Sequence, residues 1–241
     1  MKIEELAYHK TPLGELTLRR RLETLLQNKE VFEVKLGDEF LMSSLFTTGE
    51  KELSRLGLAE LKGKLDVVVG GLGLGYTAAA ALENKNVRSL LVIDLFQEVI
   101  DWHQNKLVPM GSLLSEDKRC ELRKGDFFEL AQTGFDISDN ERKFDAVLLD
   151  IDHSPEHFLD KKNKSFYSAE GLNSLRKQIK EGGVFALWSN DPFNEKFTKH
   201  LESIFGTATA HTVEFANPYT NSISVNSVYI AHKKGSRNSK E

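Results

Sequence analysis

A glycine-rich turn is the segment of this chain best suited to binding a small molecule. Residues 67–76 run from an apolar stretch through four glycines into an alanine-rich stretch, which indicates a strand, a tight turn and a helix. Glycine lets a ligand approach the backbone closely, and a helix start offers free N–H groups with a partial positive charge. We therefore predict that this turn, the glycine loop (residues 70–75), contacts a ligand. The candidate contacts are Gly70, Gly71, Leu72, Gly73 and Gly75.

The spacing of the glycines indicates the kind of ligand. A phosphate-binding loop needs a Lys-Ser/Thr pair after its glycines, whereas Tyr76 and Thr77 follow them here. A dinucleotide fingerprint needs a small residue where this chain has Tyr76. The pattern Gly71-x-Gly73-x-Gly75 is that of transferases that use S-adenosylmethionine. Close packing of a strand against a helix is the alternative explanation.

Three aspartates lie at or just after the ends of successive predicted strands. Ligands of open α/β sheets bind at the carboxyl ends of the strands, so the three side chains are expected near the glycine loop. Asp94 would accept hydrogen bonds from ribose hydroxyls, and Asp126 from an exocyclic adenine amine. Asp150 would face the reacting end of the ligand. For each of them, a solvated or helix-capping role is the alternative.

Four further residues complete the predicted site. Leu95 follows Asp94 and is a candidate contact for the nucleoside, and Phe127 is expected to lie against the adenine ring. Displacement at a sulfonium carbon by an amine requires the amine to lose a proton. Asp150 would orient the amine, while Asp152 or His153 would take the proton. No metal-ligand motif is matched, so no metal is predicted.

The elements that must position these residues alternate along most of the chain. Short apolar strands separated by helices predict a parallel sheet covered on both faces. Strands are predicted at 65–70, 89–94, 120–122, 144–150 and 183–188, with an antiparallel pair at 207–216 and 224–232. Helices are predicted near 75–84, 96–105, 127–133, 168–180 and 193–204.

The predicted organisation has three parts. Residues 1–60 have near-alternating apolar positions and turn signals, which indicate a small β-rich domain followed by a helix. Residues 61–234 form the α/β domain, and residues 235–241 are expected to be a disordered tail.

Composition excludes several classes of protein. The 241 residues include 32 Lys and Arg against 36 Asp and Glu, a formal net charge of −4, which argues against nucleic-acid binding. The single cysteine, Cys120, excludes an internal disulfide. No apolar run approaches the length of a membrane span, and no signal peptide is evident. We predict a cytoplasmic protein with no membrane association.

The motifs resemble those of the spermidine synthase-like branch of the class I S-adenosylmethionine-dependent methyltransferase fold. The resemblance extends from about residue 10 to residue 230. It implies a Rossmann-like seven-stranded sheet whose last strand is antiparallel, preceded by a small N-terminal β domain. Family relatives are often dimers, so a homodimer is one expected assembly. The resemblance also matches Asp94 to the ribose-binding acid, Asp126 to the adenine-binding acid and Asp150 to the catalytic acid. It is carried by residues 70–75, 94–100, 125–127, 149–155, 166–168 and 180–184.

The departures from the family pattern concern the part of the site that handles polyamines. Polyamine synthases have an Asp in the glycine loop that holds the donor's aminopropyl nitrogen, and Gly73 stands there in this chain. The second acid of the family's Asp-Ser-Ser/Thr-Asp-Pro motif is lost or displaced to Asp152. Met42 stands where the family has a Gln. The family's Tyr-His-Glu falls near residues 49–51.

These observations favour a transferase that uses an S-adenosyl nucleoside. The first expectation is methyl transfer from S-adenosylmethionine to a small, amine-bearing acceptor, because the loop acid is missing. An aminopropyltransferase that uses decarboxylated S-adenosylmethionine is the main alternative. A non-catalytic nucleoside-binding module and, more distantly, a nicotinamide oxidoreductase are the others.

Overall fold

A four-stranded antiparallel sheet forms the N-terminal part of the protein. The computed structural model describes residues 3–136, 138–139 and 141–234. The predicted tail at 235–241 lies outside the described residues. In the second strand the buried Leu16 and Leu18 alternate with more exposed neighbours, as expected for a sheet with one covered face. The strands, in sheet order, are β1 (Ile3–Thr11), β2 (Gly14–Glu23), β3 (Lys29–Leu36) and β4 (Glu39–Ser43).

The main domain is a seven-stranded sheet, which confirms the predicted fold class. The strand order is β10-β11-β9-β8-β5-β6-β7, and β5 to β9 pair in parallel. Strand β11 is antiparallel to both β9 and β10, so the reversed strand is the last one. The strands are β5 (Leu65–Gly70), β6 (Val87–Asp94), β7 (Cys120–Lys124), β8 (Phe144–Leu149), β9 (Ile179–Ser189), β10 (Gly206–Asn217) and β11 (Ser222–Lys233).

Helices cover both faces of this sheet, and the sheet separates the core into two clusters. In β5, Val67 and Val69 pack into the first cluster and Val68 into the second, since successive side chains of a strand point to opposite faces. The first cluster includes residues of α1 (Thr48–Leu58), α2 (Tyr76–Glu83), α3 (Gln97–Gln104) and α4 (Gly111–Glu116). The second includes residues of α5 (Phe127–Thr133), α6 (Ala169–Lys177) and α7 (Glu195–Phe205).

The N-terminal sheet lies over the carboxyl edge of the main sheet. The backbone N–H of Leu74, in the glycine loop, lies 3.1 Å from the Met42 sulfur on β4. At another point Tyr219, between β10 and β11, accepts a hydrogen bond from the buried Arg21 at 2.6 Å and donates one to Glu23 at 2.6 Å. These contacts hold the small sheet against the edge where the predicted site residues lie.

Within the described part of the chain, no helix is both long and apolar enough to cross a membrane.

Candidate active site

Each glycine of the glycine loop lies directly against a neighbouring group of the protein. A Cβ at any of the four positions would overlap an atom already present, and three of the four have positive φ: Gly71 (+94°), Gly73 (+47°) and Gly75 (+90°). Close packing, which the sequence left open, therefore explains the glycines, and it also gives the loop a single fixed path. The pairs are Gly70 with the Phe127 ring, Gly71 with the Asp150 carbonyl oxygen, Gly73 with the Met42 sulfur and Gly75 with the His103 ring.

The buried His103, on α3, supports the glycine loop from behind. Its Nε2 lies 2.9 Å from the Gly73 carbonyl oxygen, which can only accept, so Nε2 carries the proton. Its Nδ1 is buried and has no hydrogen-bond partner among the described residues. Burial lowers the pKa of His103 to about 4. The neutral imidazole is thus part of the folded structure.

The stability of the protein is expected to fall as the pH is lowered from about 6.5 to about 4 because of His103. The unfolded chain binds a proton on this group over that interval and the folded chain does not, which costs about 3 kcal/mol of unfolding free energy. Urea unfolding at several pH values measures the slope. His103→Gln retains a donor for Gly73 but does not titrate, so it should show a shallower slope. Equal slopes for the two proteins would contradict this role.

Asp94 lies at the end of β6 and holds the backbone of the glycine loop. Its carboxylate accepts from the Leu72 N–H at 3.0 Å and from the Phe96 N–H at 2.9 Å. Burial raises its pKa, and these bonds oppose the rise. The Gly73 N–H also acts on this carboxylate, so of its four or so lone-pair sites about one or two remain for ligand hydroxyls. The adjacent Leu95 is 44% exposed and presents an apolar side chain beside the acid.

Asp126 and Phe127 lie at the start of α5 and differ in their exposure. Asp126 is an exposed N-cap whose Oδ1 accepts from the N–H groups of Phe128 and Glu129, at 2.9 and 3.3 Å. Its Oδ2 has no partner among the described residues, so an adenine amine could bind there. The Phe127 ring, however, is only 2% exposed and packs behind Gly70. This side chain packs in the core, and its predicted contact with the adenine ring stays a prediction.

Asp150 directly follows β8, is half-buried and forms an acidic pair with the buried Glu50 of α1, whose carbonyl oxygen also accepts from the Thr77 hydroxyl. Its backbone N–H donates to the Gly70 carbonyl at 2.8 Å, and its Oδ2 accepts from the Thr77 hydroxyl at 2.5 Å. Burial raises the pKa of Asp150. The pKa of Glu50 is also raised, mainly by burial and secondly by the negative charge of Asp150. The pair therefore retains a proton at pH values where ordinary carboxyl groups have lost theirs. Such a pair can accept a proton from a cationic amine, or it can bind the amine in its charged form.

Asp152 does not take part in this pair, and its predicted role as a proton acceptor stays a prediction. It is only 1% exposed and accepts three hydrogen bonds, each of 2.8 Å, from the Leu159 N–H, the Asn163 amide and the Tyr167 hydroxyl. These partners consume most of its acceptor capacity. Asp152 organises the chain that follows β8.

His153 lies at the rim between the two sheets. Its Nε2 is 3.2 Å from Glu39 Oε1, and its carbonyl accepts from the Asn190 N–H at 2.8 Å. The side chain is thus engaged with β4. Its predicted role as a proton acceptor stays a prediction.

Four residues of the site were not assigned from the sequence: Met42, Glu50, Thr77 and His103. The family pattern placed Glu50 near the Tyr-His-Glu motif, and this was the available signal for it. Thr77 directly follows the glycine loop, but its partner lies 73 residues away in the chain. A single sequence carries no signal for His103.

The fold and the site together define a class of protein. A seven-stranded sheet with a reversed last strand, a glycine loop after β5 and acids after β6, β7 and β8 is the class I methyltransferase fold. Similarity to solved structures supports this fold. A spermidine synthase in complex with the transition-state analogue AdoDATO has a TM-score of 0.73 at 15% identity, covering 95% of this chain and 73% of that one. The spermidine synthase from Thermotoga maritima has a TM-score of 0.71 at 15% identity, covering 95% and 72%.

The chain belongs to the spermine/spermidine synthase domain family, which it matches over residues 50–234. A polyamine aminopropyltransferase from Pyrobaculum islandicum is 25% identical over 128 residues, which are 53% of this chain and 42% of that protein. One from Saccharolobus islandicus is 25% identical over 127 residues, or 53% and 39% of the two chains. The match thus spans about two fifths of the length of these curated relatives.

Proposed function

We propose that this protein transfers an aminopropyl group from decarboxylated S-adenosylmethionine to a small amine. The observation that carries the proposal is the acidic pair of Glu50 and Asp150 beside the glycine loop, in a chain of this family. The family and its relatives favour this alternative over methyl transfer, the first expectation from the sequence. The AdoDATO complex, of similar fold, is consistent with it.

The residues of the chain have distinct roles in this proposal. Asp94 and the exposed Asp126 would hold the ribose and the adenine, and the fixed glycine loop would position the sulfonium end. Asp150 would accept a proton from the acceptor amine, so that the nitrogen lone pair is free to attack. The new bond joins this nitrogen to the aminopropyl carbon, the carbon–sulfur bond breaks, and methylthioadenosine leaves as a neutral thioether.

The acidic pair also suits the charges of the reactants. Both a sulfonium donor and a protonated amine are cations, and burial strengthens their attraction to a carboxylate. Because the two carboxyl groups titrate as a pair with raised pKa values, one of them can stay protonated while the other is a carboxylate available to the amine. Holding donor and acceptor aligned in such a site supplies much of the rate enhancement, on the order of 7–11 kcal/mol.

Methyl transfer from S-adenosylmethionine is the second candidate, because one observation favours it. Gly73 offers no carboxylate for the donor's aminopropyl nitrogen, and the Met42 sulfur fills the space that a side chain at Gly73 would need.

One incubation distinguishes the two candidates by their by-products. Purified protein is given decarboxylated S-adenosylmethionine or S-adenosylmethionine, each with a panel of small amines, and the nucleosides are separated by chromatography. Aminopropyl transfer releases methylthioadenosine, whereas methyl transfer releases S-adenosylhomocysteine. We expect methylthioadenosine, from the decarboxylated donor. S-adenosylhomocysteine alone would establish methyl transfer, and calorimetry that finds no binding of either donor would refute the assignment of the nucleoside site.

A further inference from the structure

A cleft of about 540 Å³ lies beside the glycine loop, outside the residues assigned to the transfer reaction. It is bounded by the N-terminal sheet, the start of α1, the start of α2 and residues 106–109. Its polar lining includes Lys29, Glu30, Ser44, Lys51, Tyr76 and Lys106.

The charged groups of the cleft leave it positive. The one acid of the lining, Glu30, lies 3.1 Å from Arg20, which also binds Glu4, so the three lysines of the lining outnumber it. Lys106 is paired with Glu116. Within the described part of the chain, neither Lys29 nor Lys51 forms an ion pair. Two lysines that form no ion pair therefore line a space large enough for part of a small molecule, although the charge of Lys51 also acts on the neighbouring Glu50.

Tyr76 connects this cleft with the acidic pair of the active site. Its ring lines the cleft, and the Lys51 Nζ lies 5.4 Å from the ring centroid. Its hydroxyl is hydrogen-bonded to Ser44, and the charge of Glu50 acts on it, adding to the effect of burial in raising the pKa of Tyr76. Tyr76 thus lines the positive cleft, and the next residue, Thr77, donates its hydroxyl hydrogen bond to Asp150 of the acidic pair.

We propose that the cleft binds a carboxylate of the acceptor, so that the acceptor is an amine that also carries an acidic group. This rests on the proposed function, since it places the acceptor's amine at Glu50 and Asp150. The carboxylate is held by Lys29 and Lys51. A simple diamine would instead bring a second cation to these lysines and be repelled.

Three amines with four-carbon chains test the proposal: γ-aminobutyrate, butylamine and putrescine. With wild-type protein and saturating decarboxylated donor, kcat/KM for γ-aminobutyrate should exceed that for butylamine by about tenfold or more, the value of a charge-assisted hydrogen bond. Putrescine should be poorer than butylamine. In Lys29→Met/Lys51→Met the preference for γ-aminobutyrate should fall to about twofold or less. The ratio of the two amines within one variant is the readout, because the lost charge of Lys51 also acts on Glu50 and changes the turnover of both amines alike.

Lys64→Met removes an exposed lysine outside the cleft and should leave the preference intact. A wild-type protein that does not prefer the carboxylated amine would overturn the proposal, as would a preference that survives in the double variant.

Two binding measurements separate the remaining outcomes. If the double variant loses affinity for S-adenosylmethionine but not for its decarboxylated form, the lysines hold the donor's carboxylate and the proposal is overturned. If none of the three amines is a substrate, the proposed function fails only where no other amine of the panel releases methylthioadenosine either. Calorimetry of γ-aminobutyrate in the presence of methylthioadenosine then tests whether the cleft binds a carboxylate. Binding that depends on the two lysines supports the carboxylate site, and its absence refutes it.

Discussion

Replacing Asp150 by Asn is expected to lower the rate of aminopropyl transfer by about 10²- to 10⁴-fold, the usual contribution of a positioned proton acceptor. The amide has the size of the carboxylate and can still accept a hydrogen bond from Thr77, but it cannot take a proton from an amine. Burial disfavours the ionised form of Asp150, so the amide is expected to be no less stable in the fold. Single-turnover release of methylthioadenosine measures the rate, and calorimetry of the decarboxylated donor should show little change in affinity.

Asp152→Asn is the matched control, because it makes the same substitution two residues further along the chain. The amide presents a donor where the carboxylate accepted three hydrogen bonds, which should cost about 1–3 kcal/mol of unfolding free energy. The folded fraction should turn over at close to the wild-type rate. Undiminished transfer by Asp150→Asn would refute the assignment of the proton acceptor.

Gly71→Ala is expected to have the largest effect on the fold of the site. Its Cβ would overlap the carbonyl oxygen of Asp150, which is backbone and cannot rotate away, and the residue has a φ of +94°. The unfavourable backbone conformation costs about 1–2 kcal/mol. Overpacking adds about 1–3 kcal/mol. We expect a loss of about 2–5 kcal/mol in urea unfolding, the sum of these costs, together with loss of donor binding, because the loop and Asp150 move apart.

Gly63→Ala separates the cost of the backbone conformation from the cost of the steric overlap. Gly63 has a φ of +80° and no other atom within 4 Å of its added Cβ, so only the backbone cost of about 1–2 kcal/mol applies. Donor affinity should be unchanged in this variant. Equal losses of stability for the two alanine variants would show that the contact between Gly71 and Asp150 is not what requires glycine.

Secondary structure was predictable wherever the local pattern was strong. The apolar runs of β5, β6 and β8 and the Thr- and Val-rich final strands lie close to their predicted positions, since buried strands need such residues whatever surrounds them. Helix α4 was missed because its six residues are too few to show a helical period. Strand β9 begins at Ile179, four residues before the predicted start, because pairing with β8 extends it through a segment whose glycines indicate a turn.

The sequence by itself determined the class of fold, the glycine loop and the acids after three strands, because these depend on residue spacing along short segments. Only the tertiary structure decided what each acid contacts. Glu50 comes from α1 and Asp150 from the end of β8, yet burial raises both pKa values, whereas Asp152 accepts three hydrogen bonds from the chain that follows it. The Met42 sulfur likewise reaches Gly73 from a different sheet. Burial and partners depend on contacts between residues distant in the chain, so local spacing could not reveal them.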